Sequence, residues 1–171
     1  MRNPEDTVYH GSPKEFDSDY AVPRPNKRTR VENGEEVAIF DQESFHATPH
    51  KWIALAYTYK ATPREVDGEA VGHYNMGVSL YENTKEIAVY GYGSLEESLH
   101  QLYGEGGYLY HFDKDTFIYK EGLGPMEVIA EEPTKPVTVE KIEDPVAELR
   151  NLGVTFKFFD LALPENADSR N

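Results

Sequence analysis

Apolar positions recur along this chain mostly in short alternating runs, with helical spacing in only a few places. Residues 7–10 (TVYH) make a brief strand stopped by the turn residues Gly11-Ser12-Pro13. Residues 17–36 break the pattern. They are polar, rich in Pro and Asn, and carry the basic run PRPNKRTR, so they read as a long loop, mobile without ligand and closing over a cleft when ligand binds. VAIF (37–40) is a strand candidate. Trp52, Leu55, Ala56 and Tyr59 fall at helical spacing behind Thr48 as N-cap and Pro49 at the first turn, which predicts a helix over 49–60.

GVSLYEN (77–83) and EIAVYGY (86–92) alternate as strands across Asn83-Thr84-Lys85. Ser94, Glu97 and Gly104 bracket a second helix with a capping box and a glycine stop. Strand candidates follow at 106–112 (GGYLYHF), 116–122 (TFIYKEG), 126–132 (MEVIAEE) and 137–143 (VTVEKIE). Asp144 caps a short helix over 144–153, with Pro145 at its first position, and VTFKFFDL (154–161) is the last strand. With no internal repeat and no shift in composition, the pattern predicts one α+β domain over 1–163, mostly antiparallel, with a flexible tail at 164–171.

Composition sharpens this only in part. A 171-residue chain that is 39% hydrophobic, with 12 Tyr and 8 Phe, has enough apolar surface for a core. Thirty-one acidic residues against 17 basic ones leave a net charge of −14, which repels polyanions from most of the surface. The absence of cysteine excludes disulfides, thiolate metal sites and cysteine nucleophiles. The N-terminus lacks the apolar stretch of a secretory signal, and no run approaches the ~18 residues of a membrane span, so a soluble cytoplasmic protein is expected. No metal is expected either, because the six histidines include no paired-ligand motif and His46 and His50 straddle a helix start.

Three segments carry candidate chemistry. His10 ends a strand, where it is either a half-exposed strand terminus or a ligand contact, and Gly11 beside it permits close approach to the backbone. Tyr57 and Tyr59 sit on the helix as either core or site residues. In MEVIAEE, Glu127, Ile129 and Glu131 share one strand face, so Glu127 is either a buried, partnered carboxylate or part of a solvated edge, and Glu131 is the alternative acidic candidate. The basic run Arg24, Lys27, Arg28 and Arg30 is either surface charge or a phosphate contact.

Taken in chain order, YHGS, then AT-x5-A-x2-Y opening a helix, then a late strand with Glu, preceded by GGYLYHFDKDTF, the sequence resembles the ADP-ribosyltransferase superfamily, in particular its small single-domain bacterial and phage-type members. The resemblance implies split antiparallel sheets with a few flanking helices around a cleft for NAD, used as co-substrate. It implies that His10 bonds a hydroxyl of the nicotinamide-side ribose, and that Gly11, with Ser12, offers main chain to the nicotinamide amide. Tyr57 would stack on the nicotinamide ring, Glu127 would face the anomeric carbon, and Arg24 in the basic run would meet the pyrophosphate. The catalytic set would thus be His10, Tyr57 and Glu127, transferring ADP-ribose to a protein, nucleic-acid or small-molecule acceptor with release of nicotinamide. Pro125 stands where protein-modifying members place a second Glu or Gln, so arginine modification is not implied. Two alternatives stay open: a non-catalytic domain of this type that binds a nucleotide or a partner, and an RNA 2′-phosphotransferase-like enzyme.

Overall fold

Two dipeptides ending in glycine set the longest strands. In the computed structural model, which describes residues 4–79 and 83–162, Asn33 and Gly34 both take positive φ (51° and 79°) and join β2 (Arg24–Glu32) to β3 (Glu35–Ala47). Asp67 and Gly68 (52° and 82°) likewise join β4 (Thr62–Val66) to β5 (Glu69–Val78). Two successive positive φ angles are the signature of the tight hairpin turn whose twist matches its flanking strands.

The loop expected over 17–36 is therefore corrected. Its second half is a strand paired antiparallel with β3 from Arg24↔Ser44 to Glu32↔Glu35. The outer half of this ribbon is exposed on both faces, so no apolar alternation marks it in the sequence. The strand expected at 37–40 is part of the 13-residue β3. A bulge interrupts the pairing, Arg28 facing Phe40 while Thr29 already faces Ala38, which leaves Ile39 unpaired.

The helix expected over 49–60 is also shorter, as α1 (Lys51–Ala56), with His50 at its N-cap. Thr48 is not the cap because its backbone is committed elsewhere: it exchanges N–H···O bonds of 2.7 and 2.9 Å with Tyr9 of β1 (Thr7–Ser12). Its hydroxyl accepts from the His50 N–H instead. Trp52 to Ala56 are all buried, as suits a helix apolar on every side. Helix α1 crosses β1 so closely that a Cβ on Gly11 would lie 1.7 Å from the Ala54 carbonyl oxygen. The missing side chain thus lets the helix pack against the strand.

The later elements match their sequence signals more closely. Strand β6 (Glu86–Gly91) leads into α2 (Leu95–Tyr103), where the Ser94 hydroxyl accepts from the Glu97 N–H. Next come β7 (Gly107–Asp113), β8 (Val128–Ala130), β9 (Thr138–Ile142), α3 (Pro145–Asn151) and β10 (Thr155–Asp160). Asp144 caps α3 through the Ala147 N–H. Two expected strands contract: 116–122 makes only a single bridge, Ile118 to Ile129, and 126–132 reduces to three residues. The expected tail at 164–171 and positions 80–82 of the expected strand 77–83 lie outside the described residues.

The strands form three sheets, ordered β1-β7-β9, β10-β6-β5-β4 and β2-β3-β8, antiparallel except for the parallel β6–β10 pair. With three α-helices among the described residues this is a small, mostly antiparallel α+β protein, and no described helix is long and apolar enough to cross a membrane. A main core gathers the three helices over Leu109, Ile87 and Ile142. A second core of Val8, Ala47, Phe112, Phe117 and Ala130 clamps the first sheet to the β2-β3-β8 sheet. Fully burying a side chain the size of Phe112 contributes about 2–3 kcal/mol, enough to hold the facing edges of these sheets in a fixed relation.

Candidate functional site

The clamp between those sheets, together with α1, leaves a cavity of about 600 Å³. Strand β1 brings His10 and Gly11 to its wall, β2 brings Asn26 and Arg28, β3 brings His46, and the end of α1 brings Tyr57. Glu127 enters from the turn just before β8.

Glu127 is the focus of the cavity. Its carboxylate accepts a bidentate pair from Arg28 (Nη1 to Oε2 2.6 Å, Nη2 to Oε1 2.5 Å) and a third bond from His46 Nδ1 (2.5 Å). The Gly124 N–H donates a fourth, at 3.2 Å. Burial by itself pushes this carboxyl upward, but the hydrogen bonds from His46, Arg28 and Gly124 outweigh it and bring it down to about 2. Glu127 is therefore an anion throughout the neutral range. The bulge explains how Arg28 takes part, because Arg28 is the last residue of β2 before the register shifts and shares an inward face with Asn26.

His10 is held differently. Its Nδ1–H donates to the His46 carbonyl at 2.7 Å, and its ring lies 4.5 Å from that of Phe45. Burial lowers its pKa, so the ring is neutral and Nε2 remains as an acceptor. Tyr57 is 48% exposed at the cavity rim. Its phenol is pushed up first by burial, then by Tyr59 and by the Glu127 charge, with Arg28 acting in the opposite sense.

His46, behind Glu127, has a second partner: its Nε2 lies 2.8 Å from the Ser44 hydroxyl. The order Ser44–His46–Glu127 has the connectivity of a hydrolase relay. However, Ser44 is only 4% exposed and is not among the residues lining the cavity, so its hydroxyl is not presented to a substrate.

Of the candidates raised by the sequence, His10, Gly11, Tyr57 and Glu127 meet at this cavity, while Ser12, Arg24 and Glu131 do not line it. The Ser12 hydroxyl closes a local turn on the Lys14 carbonyl at 2.6 Å. Arg24 is exposed at the start of β2, opposite Ser44. Glu131 lies at the surface, bonded by Lys120 (2.6 Å) and Gln42 (2.9 Å). Within the basic run, Arg30 pairs with Glu32 of its own hairpin and Lys27 faces Asp41 across it. Sequence reasoning missed His46 and the inward role of Arg28 within its run. The signal for His46 was its i, i+2 spacing from Ser44, legible only once β3 is known to run through Ala47.

No protein-family model, curated protein or solved structure matches the chain.

Proposed function

We propose that the cavity binds NAD and that the protein is an ADP-ribosyltransferase. The observation that carries the reading is an anionic Glu127 fixed inside a cavity of about 600 Å³ whose wall also holds a neutral His10 and the Tyr57 ring. That volume falls within the usual range for small-molecule sites, about 300–1,000 Å³.

The chemistry asks for these groups. The bond between ribose C1′ and the nicotinamide ring nitrogen breaks, and its electron pair leaves with the cationic ring, which becomes neutral nicotinamide. Positive charge develops on the ribose, where a fixed carboxylate stabilises it. An acceptor nucleophile then bonds to C1′ and gives up its proton to solvent. His10, with Nε2 as acceptor, suits a ribose hydroxyl, and the half-exposed Tyr57 offers a face for the nicotinamide ring. Arg28 gains an alternative partner in the diphosphate, whose oxygens match its fork as the Glu127 carboxylate does.

A 2′-phosphotransferase reading is less well supported. It calls for several arginines around a phosphate, and of the basic run only Arg28 lines the cavity.

Incubating the pure protein with NAD, with and without cell lysate, tests the proposal through released nicotinamide. Release is expected, and faster with lysate if an acceptor is present there. Saturable NAD binding with no release in either arm would replace the enzyme by a nucleotide-binding domain.

A further inference from the structure

We infer that His46, seated on Ser44, is the positioning residue that keeps Glu127 aimed into the cavity when Arg28 is drawn away. The inference rests on the transferase reading for its catalytic meaning, and on geometry for its mechanism.

The donors to Glu127 are not equivalent. Arg28 reaches it along a flexible side chain that is 35% exposed, so this bidentate bond can be exchanged for a ligand oxygen. His46 is anchored on both sides of its ring, by Glu127 at Nδ1 and by the buried Ser44 hydroxyl at Nε2. The ring of Phe40, 5.9 Å away, packs edge-on against it. Strand pairing His46↔Ile129 fixes its backbone beside the strand that Glu127 precedes. Once Arg28 turns to a diphosphate, Glu127 keeps only His46 and the Gly124 N–H as fixed donors. Burial is the largest influence on this carboxyl, and it favours protonation. The other polar side chains facing the cavity are not among its donors: Asn26 and Tyr57 make none of the bonds to Glu127, and the Nδ1–H of His10 is spent on the His46 carbonyl. Without His46, the carboxyl would lose its remaining side-chain donor, turn more freely and titrate at a higher pH. The charge would no longer be held where the ribose needs it.

The test reads Glu127 directly, without NAD. In protein labelled with ¹³C at glutamate Cδ, the Glu127 resonance is the one absent from Glu127→Gln. Arg28→Gln mimics departure of the guanidinium, and there Glu127 is expected to titrate below the ordinary carboxylate value. Adding His46→Leu is expected to raise the midpoint by about one pH unit or more, to above that value. His46→Asn in place of His46→Leu puts an amide N–H near the Nδ1 position and is expected to reverse most of the rise. Ser44→Ala, which keeps the imidazole but removes its anchor, supplies a milder variant if His46→Leu unfolds, and is expected to move the midpoint upward by less. Equal midpoints in Arg28→Gln with and without His46→Leu, or no rescue by His46→Asn, would overturn the assignment. Should His46→Leu unfold, an unmoved midpoint in Arg28→Gln/Ser44→Ala would do so.

A turnover arm separates this from the transferase reading. If the wild type releases nicotinamide, His46→Leu is expected to lower kcat far more than it changes KM, and to move the acid limb of the pH profile upward. If the wild type releases none, the transferase reading fails, while the titration still decides whether His46 holds the carboxylate.

Discussion

Replacing Glu127 with Gln tests the electrostatics of the cavity through folding stability. The carboxyl falls from an ordinary 4.5 to about 2 in the folded protein. That fall is a roughly 300-fold loss of proton affinity, or about 3 kcal/mol. The Glu127 side chain is 22% exposed and its Arg28 partner 35%, so solvent screens part of the attraction. About 2 kcal/mol is a fair expectation for the folded state at neutral pH. The sign follows from linkage. A carboxyl depressed by folding contributes its full stability above the unfolded value near 4.5, and loses it as pH falls toward about 2. Urea unfolding of the wild type and of Glu127→Gln at a series of pH values measures the difference between them. The variant is expected to be less stable by about 2 kcal/mol at pH 7, with the gap narrowing steadily below about pH 5. A variant as stable as the wild type at pH 7, or a gap that does not change with pH, would refute a carboxylate held ionised by Arg28 and His46.

Gly11→Ala drives a methyl into the Ala54 carbonyl, 1.7 Å from its oxygen, so a loss of about 3 kcal/mol or more is expected, seen as a melting point lowered by roughly 10 °C. A melting point within a degree or two of the wild type would mean that α1 does not press on β1 as described. Tyr57→Ala removes a half-exposed ring, so calorimetry is expected to show NAD bound about 5-fold more weakly with little change in melting point. Undiminished affinity would take Tyr57 out of the site. Arg24→Ala, at the exposed start of β2, is expected to leave that affinity unchanged, and a marked loss would return Arg24 to the ligand.

What could be read from the sequence follows burial. The capped helices α2 and α3 were visible because Ser94, Asp144 and Pro145 act locally, within one turn. The β1 strand is visible as the apolar run TVYH, although it pairs on through Gly11 and Ser12, which read as turn residues. The β2–β3 ribbon was not, since both faces of its outer half meet solvent and hydrophobic alternation has nothing to report. Its one local signal, Asn33-Gly34, sits between polar flanks and reads as part of a loop. That error hid more than a strand, because the same ribbon aims Arg28 inward and places Ser44 and His46 on one face of β3. The pairing of His46 with Glu127 spans 81 residues and leaves no local trace. Thr48 misled for a related reason: it has the chemistry of a helix cap, but the bridge to Tyr9 claims its backbone.

On the proposed reading, Glu127 stabilises charge on a ribose as nicotinamide departs. The most direct measurement compares wild type and Glu127→Gln for nicotinamide release at saturating NAD and pH 7.5, with NAD affinity measured on the same preparations. Gln keeps the shape of the side chain and loses its charge. The wild type is therefore expected to release nicotinamide, and the variant to bind NAD nearly as well while releasing it roughly 100-fold more slowly or worse. Equal rates in the two proteins, or a wild type that binds NAD and never cleaves it, would contradict the claim.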